Sequence, residues 1–135
     1  MKTGNWSRLF GVVIACTVLT GCITAERART LLSFAERTTQ EDKKLIINYF
    51  RNNYNDPYSI RDAEISDTIV GLKGRKMICV YLNSKNSFGA YAGRKLVEFN
   101  LVYNRIIWYW EDQNSCQMLV NHGLKLHPFP EAERI

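Results

Sequence analysis

Between residues 96 and 112 the chain reads LVEFNLVYNRIIWYWED, and this stretch restricts the fold more than any other. Val97, Phe99, Leu101 and Tyr103 alternate with Glu98 and Asn100. That period of two sends one set of side chains to a buried face of a strand and the other set to the opposite face. A second run rich in aromatic and β-branched residues begins at Ile106. Asn104-Arg105 between the two runs is a tight-turn candidate, because Asn tolerates left-handed backbone. The expectation is an antiparallel hairpin. Trp108 and Trp110 share a face at strand spacing, which predicts core packing against a helix, with an exposed sugar-stacking platform as the alternative.

The rest of the chain supplies partners for that hairpin. MICVYLNS (77–84) is apolar on both faces and reads as a central strand. Upstream, SIRDAEIS and DTIVGL read as extended, with Ile60 and Ile65 available to a core, and GLKGRK (71–76) reads as a turn. Before them, Leu45, Ile46, Tyr49, Phe50 and Tyr54 recur at helical spacing. Thr38 and Glu41 have capping-box spacing at the start of that helix, and Pro57 stops it. SCQMLVNHG suggests a short C-terminal helix closed by Gly123, and LKLHPFPEAERI a tail. The sum is an α+β domain over 39–135: a small antiparallel sheet of about four strands against one main helix, Thr39–Asn55. Residues 22–38 precede it as a tether or a short helix.

The first 21 residues are excluded from this fold. MKTGNWSR carries two positive charges, LFGVVIACTVL is apolar apart from one Thr, and small residues follow. That is the pattern of a secretory signal, and the apolar run is short for a membrane span. Leu19-Thr20-Gly21-Cys22 closes it and resembles the lipobox of bacterial lipoprotein precursors. The resemblance implies cleavage before Cys22, acylation of its thiol and new amine, and anchoring by several acyl chains. Ile23, where an Asp would retain a lipoprotein at the inner membrane, points to the outer membrane; the domain is expected to face the periplasm, with the cell surface as the alternative. No cofactor is implied beyond the lipid on Cys22. Losing Lys2 and Arg8 with the leader lowers the net charge from +5 to +3. So small and dispersed a charge argues against nucleic acid as a partner.

With Cys16 removed and Cys22 acylated, Cys79 and Cys116 remain. An even pair in an oxidising compartment predicts a disulfide, with two buried free thiols as the alternative.

NSKNSFGAYAGRK (83–95) is the segment where chemistry could reside. Lys85, Asn86, Ser87 and Arg94 offer hydrogen-bond donors, and Phe88 and Tyr91 offer flat surfaces. It reads either as a binding loop carried on a rigid sheet or as a wide connection whose aromatics roof the core. The string KNSFGAYAGRKLVEF, after a segment opening DPYS, resembles a family of small proteobacterial lipoproteins and exported proteins. The resemblance covers about Asp56 to Phe99 and implies no activity. Ala90 stands where that family has Gly.

No catalytic residue and no metal ligand set is expected. His122 and His127 are five residues apart, off the spacing that places two ligands on one helix face. A Cys116/His122 nucleophilic pair lacks an orienting third group and competes with the disulfide. The expectation is a non-enzymatic envelope lipoprotein with a structural or protein-binding role. The alternatives are a periplasmic inhibitor or small-molecule-binding module and, behind both, an envelope hydrolase.

Overall fold

The computed structural model describes residues 25–111 and 114–135. In chain order these form helix α1 (25–32), strand β1 (Ala35–Glu36), helix α2 (Gln40–Asn53), β2 (Arg61–Ser66) and β3 (Thr68–Val70). They continue as β4 (Arg75–Lys85), β5 (Tyr91–Val102), β6 (Arg105–Glu111), helix α3 (Asn114–Asn121) and β7 (Leu126–Pro128). Short 3-10 turns at Pro57–Ser59 and Ala132–Arg134 complete the set that matters here.

Among the described residues, seven strands in one antiparallel sheet and three helices replace the expected sheet of about four strands on one main helix. The organising strand is β4. One of its edges pairs with β5 from Arg75↔Val102 to Lys85↔Tyr91. The other is shared by β2 at one end and β3 at the other, and the break falls at Asp67. β7 extends β2, β1 extends β3, and β6 extends β5. Segments of two or three residues such as β1, β3 and β7 are too short to display a period, so pattern alone cannot find them. The expected tail is structural: Leu126–Pro128 pairs with β2, and Phe129 beyond it is fully buried.

Both faces of the sheet are covered, which explains why β4 is apolar on both sides. Ile78, Val80 and Leu82 join Val97, Phe99 and Leu101 under α2, whose Ile46 and Phe50 are fully buried. Burial of Phe50 or Phe99 contributes roughly 2–3 kcal/mol each. Phe50 and Tyr49 meet the Phe99 ring edge-on at 5.6 and 5.3 Å. On the opposite face Cys79 and Leu96 pack with Ala28 and Leu31 of α1 and with Cys116 and Leu119 of α3. Cys79 and Cys116 form a disulfide with their Cα atoms 5.9 Å apart, fixing α3 to the central strand. Gly123 at φ +107 closes α3, where Leu124 N–H donates to the Leu119 carbonyl at 2.9 Å.

The helix cap lies one residue beyond its expected place. Thr39, not Thr38, caps α2: its hydroxyl accepts from the Asp42 backbone N–H at 3.2 Å. Thr38 is buried instead, donating to the Ser66 carbonyl at 2.7 Å. The Asp42 carboxylate is itself buried and takes Lys76 Nζ at 2.8 Å and the Thr39 hydroxyl at 2.9 Å.

The β5–β6 turn is likewise shifted from Asn104-Arg105. Its central residues are Tyr103 and Asn104, at φ 49 and 59, because Val102 pairs with Arg105. Two left-handed residues suit the twist of a two-residue hairpin. Tyr103 is therefore exposed at the turn and not in the core. Just beyond, Ile106 pairs with Leu101 and Trp108 with Asn100, so Ile107 is an extra residue, a β-bulge. The bulge resets the alternation. Tyr109 sits across from Phe99 on the α2 side, and Trp108 and Trp110 lie across from Asn100 and Glu98 on the other. The tryptophans share a face as expected, but at 43% and 53% exposure they are not core.

Candidate functional site

Beyond the last core row of β4 and β5 the two strands continue as an arm that ends at residues 86–90. Asn86 builds the tip. Its side-chain oxygen accepts the N–H groups of Phe88 and Ala90 at 3.0 and 3.1 Å, and its own N–H donates to the Ala90 carbonyl at 2.9 Å. Gly89 at φ +76 supplies the left-handed step that this closure needs. Gly93 at φ +106 provides a second such step lower on the arm, next to the register shift between Asn83 and Lys85.

Bracing comes from the DPYS segment and the strand after it. The Tyr91 hydroxyl donates to the Ser59 carbonyl at 2.9 Å, and Lys85 N–H donates to the Ser59 hydroxyl at 2.9 Å. The Arg61 guanidinium lies 3.5 Å from the centre of the Tyr91 ring, with Lys85 Nζ 5.8 Å from the same ring. Arg94 pairs with the Glu64 carboxylate, donates to the Asp62 carbonyl at 2.9 Å and stacks 4.0 Å from the Tyr81 ring. Asp62, at φ 53, turns its carbonyl to that guanidinium.

The six residues singled out in the sequence therefore divide. Asn86 shapes the tip, and Tyr91 and Arg94 clamp the arm to residues 59–64. Ser87 and Phe88 point to solvent at the tip, with Phe88 92% exposed, and Lys85 stands half-buried at its base. Sequence reasoning missed Ser59, Arg61, Glu64 and Tyr81 as members of the assembly. The DPYS segment, already part of the resemblance, was the available signal for Ser59.

Cys22 lies outside the described residues. Cys116 is consumed in the disulfide and cannot act as a nucleophile with His122. The His122 ring bonds to the Met118 carbonyl at 2.7 Å. His127 is held between Arg37 at 2.7 Å and Asp67 at 2.8 Å. Arginine can only donate, so Nδ1 of His127 accepts and Nε2 donates to Asp67. The two histidines thus serve separate local networks.

A second surface of note is the groove of about 490 Å³ between α2 and β6, lined by Tyr49, Asn53 and residues 106–110. Burial, reinforced by the neighbouring Tyr109, raises the Tyr49 hydroxyl well above the ordinary tyrosine range. Tyr54 beside it is raised by burial first and by the Glu111 carboxylate second. Both phenols stay protonated and act as neutral groups.

Comparison with protein-family models, with curated proteins and with solved structures finds no match to this chain.

Proposed function

We propose that this chain is a lipid-anchored envelope protein that works by binding a partner protein, without catalysis, and presents the 86–90 tip as its contact. The observation that carries the reading is the contrast within the arm. Residues 59–64, Tyr91 and Arg94 hold it rigid, while Phe88 is left almost wholly to solvent. A large apolar side chain held out on a stiff support binds with little loss of conformational freedom. Lys85 and Arg61 add positive charge at the base, which suits an acidic rim on the partner. The anchor rests on the Leu-Thr-Gly-Cys motif at 19–22 and its signal-like leader. Ile23 in place of an Asp supports outer-membrane attachment, and the domain is taken to face the periplasm.

Two experiments test this. Cys22→Ser, or globomycin treatment, is expected to leave uncleaved precursor and to deplete the mature-sized acylated form from the membrane fraction; unchanged processing overturns the anchor. A photo-crosslinking residue at position 88 in intact cells is expected to give one discrete adduct. Crosslinking from exposed Leu72 but none from position 88 overturns the contact.

A further inference from the structure

Pairing across β4, β5 and β6 places three rows of side chains on the sheet face away from α2: Arg75–Val102–Arg105, Met77–Asn100–Trp108 and Cys79–Glu98–Trp110. Helix α3 roofs the Cys79 end of these rows through the disulfide, and Leu31 of α1 packs near Met77. The outer ends stay open. Trp108 and Trp110 are about half exposed, and Arg75 and Arg105 are exposed. Leu31, Arg75, Met77 and Asn100 line one shallow depression of about 190 Å³ beside Trp108. Arg27 stands one turn before Leu31 on the same side of α1 and is exposed. None of these three arginines has an ion pair among the described residues. Glu98, the acidic group within the rows, is occupied by Asn100 at 2.7 Å and by the Ser115 hydroxyl.

We propose that this face, with Trp108, Trp110, Arg27, Arg75 and Arg105, lies against an anionic lipid surface. The proposal rests on the anchor reading above and adds a second contact to it. Tryptophan combines an apolar ring with a polar N–H and settles at the headgroup level of bilayers. Arginines around it complement anionic headgroups. The place of the chain's N-terminal segment gives the same direction. Helix α1 belongs to this face, and Cys22 precedes residue 25 by three residues, a reach of at most about 10 Å. An acylated Cys22 therefore brings this side of the sheet, and not the α2 side, to the membrane.

The chain contains three tryptophans, Trp6 in the leader and the two on this face. Cleavage before Cys22 removes Trp6, so the intrinsic tryptophan fluorescence of the mature protein reports on the proposed contact alone. The mature acylated protein is reconstituted into vesicles of phosphatidylglycerol and phosphatidylethanolamine, with and without brominated acyl chains. A blue-shifted emission quenched by the brominated lipid is expected. Quenching should fall about threefold or more when phosphatidylcholine replaces phosphatidylglycerol, or in the Arg27→Gln, Arg75→Gln, Arg105→Gln variant. The lipid replacement requires no variant to fold. Protein that floats with the vesicles but keeps unquenched tryptophans overturns this proposal and leaves the anchor standing. Protein that fails to float overturns both. Quenching indifferent to headgroup charge, or emission already blue-shifted in a dimer before lipid is added, assigns the face to another role and also overturns it.

Discussion

Asp42 and Lys76 form an ion pair whose partners differ in burial, with side-chain exposures of 1% and 26%. Replacing Lys76 with Met strands a buried carboxylate and is expected to cost about 3–5 kcal/mol. Replacing Asp42 with Ala leaves a lysine that can turn to water, for about 1–2 kcal/mol of lost hydrogen bonds. Urea unfolding of the two variants measures the asymmetry, and equal losses would contradict it. Glu131 bears on acid stability. Its own backbone N–H holds its carboxyl below the usual range, against the opposing effect of partial burial, and Lys43 at 3.0 Å adds to the lowering. A lowered folded-state value means the unfolded chain takes up the proton first as pH falls. The contribution is thus complete at neutral pH and is lost on descending through the carboxylate range. Glu131→Gln should flatten that limb in melting curves taken from pH 7 to pH 3. Neither pair was legible in the sequence, because the partners stand 34 and 88 positions apart and no spacing rule joins them.

The arm between β4 and β5 separates two side chains that look alike in sequence. Arg94→Ala removes the contacts to Glu64, Asp62 and Tyr81 and is expected to cost about 1 kcal/mol, a fall in Tm of about 4 °C for a domain of this size. Lys85→Ala should leave Tm within about 1 °C, because its side chain makes only the distant contact to the Tyr91 ring. Differential scanning calorimetry distinguishes these outcomes, and an equal fall in both would argue against the division of roles. The disulfide acts on larger elements, tying α3 to β4 across 37 positions. Paired Cys79→Ala and Cys116→Ala replacement should cost about 4 kcal/mol on the chain-entropy model, read by denaturant unfolding. The core halves of the two long strands, α2 and the cysteine pair were readable because each carries its own period or count, whereas residues 91–95 of β5 were read as loop. The clamp on the arm was not, since Tyr91 and Arg94 find their partners about thirty residues earlier, in Ser59, Asp62 and Glu64.

For the molecule as a whole, the central sheet was legible in outline and its borders were not. Apolar character on both faces of β4 announced cover on both sides, but the short strands at the margins owe their existence to neighbours. The aromatic run on β6 misled for a related reason. Period-two logic assigned the tryptophans to one face, and a single inserted residue, Ile107, decided which face that is. That residue has a further effect on how copies of the protein behave together. β6 carries five consecutive apolar side chains, and among the described residues it pairs only with β5. Such an edge recruits the same strand of another molecule and propagates into fibres when it is flat and regular. The bulge denies it a regular ladder. Deleting Ile107 should restore that ladder and turn a dispersed protein into one that scatters light and seeds its own polymerisation at micromolar concentration. A deletion variant that stays monodisperse would show that solubility is secured elsewhere. On this view one surplus isoleucine lets the chain display its tryptophans without becoming a filament.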